Sequence, residues 1–148
     1  MEQTVSLSQL GEFVKETLLG GKSIEIVVTG NSMFPLFVNK RDTVKLSPIK
    51  KLKKRQICFY QTIDGQFMLH RIIKISDNGV FFIGDNRTIV ESELPKENVY
   101  GVVSEYVRRG KRKSVNCLFH KIYSFIWCIS IKARPKLLKF LLKFKGKK

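Results

Sequence analysis

Between Ser23 and Val107 the chain is divided into short extended runs, and this constrains its fold more than any other feature. SIEIVVT, DTVKL, RQICFYQ, QFMLHRIIKIS, GVFFIG and VYGVVSEYV are each 5 to 11 residues long. They alternate or run apolar and are rich in β-branched and aromatic types, which suits a pleated, half-buried surface. Between them lie Gly30-Asn31, Ser47-Pro48, Asp64-Gly65, Asp77-Asn78-Gly79 and Gly84-Asp85-Asn86. These residues turn a backbone by tolerating left-handed φ, by fixing φ, or by bonding to their own main chain. Asp64-Gly65 and Asn78-Gly79 have the form of tight hairpin turns. No helix-periodic stretch separates the runs, so antiparallel sheets or a barrel are expected rather than an α/β arrangement.

Ahead of the runs, residues 5–19 place Leu7, Leu10, Phe13, Val14, Leu18 and Leu19 three and four apart, one apolar stripe of a helix. Ser6 or Ser8 is the expected N-cap and Gly20-Gly21 the stop. The helix is too short and polar to span a bilayer, and its start lacks the cationic and small-residue marks of a signal peptide. At 148 residues, with 11 Phe and 43% apolar content, the chain can fill one real core, which excludes general disorder. The only cysteines, Cys58, Cys117 and Cys128, are too few and too irregularly spaced for a disulfide scaffold. Cys117 and His120 form a lone C-x-x-H pair, so no metal site is expected, nor any cofactor.

The net charge of +16 by itself points to nucleic acid or an anionic membrane. Its distribution is uneven. Residues 1–104 carry 14 Lys+Arg against 11 Asp+Glu, whereas residues 105–148 carry 14 against Glu105 alone. Three parts are therefore expected: an N-terminal amphipathic helix (1–22), a β-rich domain (23–107) and a basic, aromatic C-terminal segment (108–148). The apolar stretch 115–131 is short for a spanning helix and cationic on both flanks. It is expected to lie in the plane of an anionic membrane, with Tyr123, Phe125 and Trp127 at headgroup depth. A true span and soluble packing are the alternatives, and nucleic acid is not expected as a partner. The run Lys50–Arg55 is expected to be a solvated basic loop, or else a second contact with an anionic surface.

Chemistry concentrates in Gly30-Asn31-Ser32-Met33-Phe34-Pro35, directly after IEIVVT. A serine on such a turn can be held exposed, but its hydroxyl is inert until a base removes the proton. His70, one of two histidines, falls inside the run QFMLHRIIKIS, and Gly84-Asp85-Asn86 supplies a carboxylate on a turn after GVFFI. Together these residue types can make a nucleophile, a base and an acid that orients it.

Gly-Asn-Ser-Met-Phe-Pro, then Leu-His-Arg-Ile, then Gly-Asp-Asn, then Val-Tyr-Gly-Val-Val resembles the boxes of the type I signal peptidase superfamily. The likeness covers roughly residues 24–107 and is closest to the branch that uses His rather than Lys. It implies a mainly β fold: antiparallel sheets in a small coiled barrel, with an N-terminal helix and a basic C-terminal helical tail. It further implies a serine endopeptidase that cuts signal or leader peptides after small residues. Ser32 would be the nucleophile, His70 the general base and Asp85 the acid orienting it, with Glu91 as a possible supporting acid. Gly30, Asn31 and Ser32 would form the oxyanion turn, and Met33 and Pro35 would shape the substrate cleft. The expected site of action is the cytoplasmic membrane, with the enzyme peripheral or anchored through residues 108–148. The competing expectations are a non-catalytic module of the same fold that binds membrane or nucleic acid, and a regulator that cleaves itself.

Overall fold

The computed structural model describes residues 7–145. Helix α1 (Leu7–Leu19) packs Val14 and Leu18 into the core but leaves Leu10, Phe13 and Leu19 exposed. Ser8 lies within the helix and so is not its cap, while Ser6 falls outside the described residues. The Gly20 and Lys22 N–H groups close the C-terminus on the Glu16 and Thr17 carbonyls, at 3.0 and 3.1 Å.

The six extended runs become β1 (Ile24–Val27), β2 (Thr43–Pro48), β3 (Ile57–Gln61), β4 (Phe67–Ile75), β5 (Val80–Ile83) and β6 (Val99–Arg108). They form one antiparallel sheet in the order β1-β2-β6-β3-β4-β5. The fold is thus mainly antiparallel β, with an N-terminal helix and C-terminal helices α2 (Leu118–Ile129) and α3 (Arg134–Lys145). A seventh strand, β7 (Lys111–Ser114), pairs with the end of β6. The boundary expected after Val107 therefore falls inside a hairpin. Arg109 and Gly110 both take positive φ, 52° and 76°, which is what a two-residue loop joining twisted strands requires.

The core has two parts. Val14, Leu18, Leu36, Phe37, Val44, Leu46 and Tyr106 fill the space between α1 and β2–β6. Cys58, Tyr60, Ile72, Val80, Phe82 and Val99 fill a second space over β3, β4 and β5. Each fully buried aliphatic or aromatic side chain contributes about 1.5–3 kcal/mol.

Candidate active site

The chain leaves β1 and turns sharply at Gly30, whose φ of +82° would strain any residue with a Cβ. The Gly30 N–H donates to Asn39 Oδ1 at 2.9 Å, and the Phe34 N–H to the Asn31 carbonyl at 3.1 Å. Ser32 sits half-buried between them, and its carbonyl accepts the Asn86 N–H at 2.9 Å. The serine turn and the Gly84-Asp85-Asn86 turn are thus tied together through the main chain. Gly30 shapes the turn and spends its own N–H on Asn39. Met33 is buried and lines the groove beside Ser32, whereas Pro35 faces a separate hollow on the other side of the turn.

His70 and Arg71 are neighbours on β4, and the period-two alternation of a strand sends them to opposite faces. On the His70 face, Tyr60 and Glu91 meet the ring. Tyr60 stacks on Phe82 at 4.0 Å between ring centroids, and its hydroxyl donates to Glu91 Oε2 at 2.6 Å. His70 Nδ1 contacts Glu91 Oε1 and lies 3.0 Å from the Tyr60 hydroxyl oxygen. Since the Tyr60 proton goes to Glu91, both neighbours of Nδ1 act as acceptors, and this network assigns the ring proton to Nδ1. Nε2 is then the basic nitrogen. It is buried and has no hydrogen-bond partner, so Ser32 Oγ does not bond to it in this structure. Its position is nevertheless beside the serine turn. A Cβ built on Gly84 would lie 2.7 Å from the Ser32 carbonyl oxygen and 3.3 Å from His70 Nε2. Any other residue at position 84 would wedge the two apart.

Burial works to raise the Glu91 carboxyl, but hydrogen bonds from His70 and Tyr60 outweigh it and hold the group below its ordinary range. Burial and the adjoining Glu91 push the Tyr60 hydroxyl well up, so it remains a donor. Glu91 reaches the ring because its N–H bonds the Phe82 carbonyl at 2.9 Å, which aligns its segment with β5.

Asp85 does not touch His70. Its carboxylate is gripped on the opposite face by Arg71, Nε to Oδ1 and Nη2 to Oδ2, both at 2.9 Å, and Oδ2 also accepts the Tyr123 hydroxyl at 3.0 Å. The expected orienting role therefore passes to Glu91, because strand alternation leaves Asp85 on the Arg71 side. Burial opposes the Arg71 charge, yet the Asp85 carboxylate more than compensates and raises its pKa. The remaining Arg71 donor serves the Arg55 carbonyl and Ser124 Oγ at 3.0 and 2.8 Å.

Helices α2 and α3 supply the rest of this second cluster. Trp127 Nε1 donates to the Asp85 carbonyl at 2.8 Å. The buried Arg134 donates to the carbonyls of Gly84, Arg87 and Trp127 at 3.1, 2.9 and 2.8 Å. Tyr123 and Trp127, expected at a membrane interface, are instead packed inward.

Ser32 lines a groove of about 370 Å³. Its walls are β1 and the serine turn on one side, Phe67, Met68 and Leu69 of β4 on the other, and Leu10 and Val14 of α1 behind. Both walls have open backbone edges. Strand β1 ends the sheet order, and β5 pairs with β4 only from Arg71 onward.

Comparison with known protein families, characterised proteins and solved structures finds no match. The sequence pattern missed Tyr60 and Arg134, and gave Tyr123 and Trp127 a different role. A tyrosine inside an otherwise apolar strand needs a partner for its hydroxyl, and that was the available sign for Tyr60.

Proposed function

We propose that the chain is a serine endopeptidase in which His70 activates Ser32, and Glu91 rather than Asp85 orients the imidazole. The observation that carries this reading is the bare Nε2: a buried basic nitrogen with its tautomer set from behind, facing the turn that presents a serine. His120 Nδ1 is likewise unpartnered, so an open nitrogen alone is not the sign; the acid behind Nδ1 and the serine turn beside Nε2 are what distinguish His70. Bonds between nucleophile and base are often long or open until substrate arrives.

In the proposed reaction the substrate lies extended in the groove and bonds the open edges of β1 and β4 as an added strand. Ser32 Oγ attacks the scissile carbonyl while Nε2 takes its proton, and Glu91 stabilises the imidazolium that results. The Ser32 N–H faces the developing oxyanion, with Asn31 beside it. His70 returns the proton to the departing amine, leaving an acyl-enzyme at Ser32. Water, activated by the same nitrogen, then releases the acid. The motif likeness, together with the apolar groove, supports signal or leader peptides cut after small residues.

The test is incubation of the full chain with leader peptides carrying Ala at the −1 and −3 positions, alongside Ser32→Ala and His70→Ala. Cleavage by the wild type is expected, with each variant slower by about 10³-fold or more. A fluorophosphonate probe should label the wild type at Ser32 and leave Ser32→Ala unlabelled. Should the wild type neither cut such peptides, nor take the probe, nor shorten its own chain, the chain is a binding module. Shortening of its own chain alone would make it a self-cleaving regulator.

A further inference from the structure

Helix α2 is amphipathic in the unusual sense that its polar face points inward. His120, Ser124 and Trp127 are buried, with Tyr123 beside them, and Ser124, Tyr123 and Trp127 bond to the Arg71–Asp85 cluster. At helical spacing on the opposite side run Leu118, Ile122, Phe125, Ile126 and Ile129. These are 73%, 50%, 51%, 47% and 70% exposed. Five large apolar side chains in one row are more than a solvent-facing helix ordinarily shows.

We propose that this outer face of α2 docks in the plane of an anionic phospholipid bilayer. The frame around it is cationic. The Arg55 guanidinium lies 5.6 Å from the Phe125 ring centroid, and Lys53 and Lys54 share a cleft with Lys121 and Ser124. At the other end Lys113 lies 4.3 Å from the Phe119 ring. From Phe119 the apolar surface continues into a hollow of about 310 Å³ rimmed by Arg41, Arg108 and Arg109. Only Asp42 offsets these three arginines, and it is bonded to Arg41 and to the Arg109 N–H.

The charge selects the occupant. No Asp or Glu follows Glu105 in the sequence, so a second copy would bring cations against cations. A phospholipid surface offers acyl chains to the isoleucines and phosphates to the lysines. The helix lies flat and does not cross. Its 12 residues make about 18 Å against a hydrocarbon core of about 30 Å. No helix among the described residues is long and apolar enough to cross a membrane. Of the three aromatics the sequence suggests at the membrane, only Phe125 stays on the docking face, while Tyr123 and Trp127 face protein. None of this depends on the peptidase reading.

The test is co-sedimentation of the full chain with vesicles of phosphatidylcholine alone and of equal parts phosphatidylcholine and phosphatidylglycerol. Binding to the mixed vesicles is expected, weakened by salt, with little to phosphatidylcholine alone. The double variant Ile122→Asn/Ile126→Asn should bind the mixed vesicles at least about tenfold more weakly at an unchanged thermal midpoint. In the otherwise intact chain, Phe125→Trp should shift its emission to the blue on vesicle addition. The wild type, whose only tryptophan is buried, should not. Equal binding by wild type and double variant would overturn the proposal, as would equal binding to both vesicle types or no shift from Phe125→Trp. A dimer lost in the double variant, without vesicle binding, would overturn it in favour of a second copy.

Discussion

The two faces of β4 carry two buried polar clusters built from similar parts, and they end in opposite states. On one face His70, Glu91 and Tyr60 leave a nitrogen with no partner. On the other, Arg71 and Asp85 pair bidentately, Arg71 Nη1 donates to Ser124 and the Arg55 carbonyl, and Asp85 also accepts from Tyr123. A closed cluster of this kind holds structure together. An open one, beside a serine turn, is what the proposed proton transfer requires. The Gly84-Asp85-Asn86 turn belongs to both: Gly84 leaves room at the open cluster, while Asp85 anchors the closed one.

Exchanging the two carboxylates for amides separates the roles most strongly. Asp85→Asn strands the Arg71 guanidinium in a fully buried site and should cost about 3–5 kcal/mol of folding stability, read from denaturant unfolding. A loss of less than about 1 kcal/mol would mean that Arg71 finds another counter-charge or water, against the closed picture. Glu91→Gln should do the reverse, leaving stability nearly intact while peptide cleavage falls by about 10³–10⁴-fold. The reason is the tautomer. Tyr60 donates to the Oε2 position, so the Gln oxygen settles there and its NH₂ turns to Nδ1. The ring proton is then driven to Nε2, and the base is lost.

Acid should attack the closed side first. His120 packs against Tyr106 with its Nδ1 unpartnered. Burial, helped by the Arg71 charge and opposed by Asp85, brings its pKa down from 6.5 to about 4. Below pH 6.5 the unfolded chain takes a proton that the folded chain refuses, so stability falls with falling pH until about pH 4 and is unaffected by this group above 6.5. The drop should reach about 2 kcal/mol by pH 5 and about 3 kcal/mol at its floor. His120→Phe keeps a ring on Tyr106 and should flatten that slope; unfolding curves at pH 7 and pH 5 that shift in parallel for both proteins would count against it.

Much of the sheet was legible because each of β1 to β6 coincides with an apolar run between turn residues. The seventh strand was hidden by charge, since Lys111–Ser114 has no apolar face and its Arg109-Gly110 turn looks like part of a basic tail. The β3–β4 hairpin was legible in place but not in register. A two-residue Asp64-Gly65 loop would set Phe59 opposite His70. Instead Thr62 and Gln66 bond around a three-residue loop with Gly65 at φ +90°, and Cys58 pairs with His70. That single step brings Tyr60 to the His70 face and Phe59 to the other. Ser32 and His70 stand out by motif alone. The choice between Asp85 and Glu91 depended on which face of β4 each one reaches, and no local pattern encodes that. For the same reason the segment 115–131 revealed its amphipathicity but not its inversion, because the polar face is drawn inward by an Arg71–Asp85 pair distant in sequence.

The finest probe of the open cluster is Tyr60. Tyr60→Phe keeps the stack on Phe82 and removes one hydroxyl, which should cost about 1 kcal/mol of stability. It also removes one of the two hydrogen bonds that hold Glu91 low, so the Glu91 pKa moves upward. Protonated Glu91 no longer accepts the Nδ1 proton, so the acid limb of cleavage should move to higher pH, while the rate at neutral pH falls only by about threefold to tenfold. Combined with Glu91→Gln, the same change should be beneficial. Without the tyrosine donor nothing fixes the amide, and its oxygen can turn to Nδ1 and restore the working tautomer. The double variant Tyr60→Phe/Glu91→Gln is therefore expected to cleave faster than Glu91→Gln alone, an inversion of sign that independent sites would not give. If the two losses simply add, Tyr60 does not orient the acid, and the proton on Nδ1 must be held by Glu91 alone.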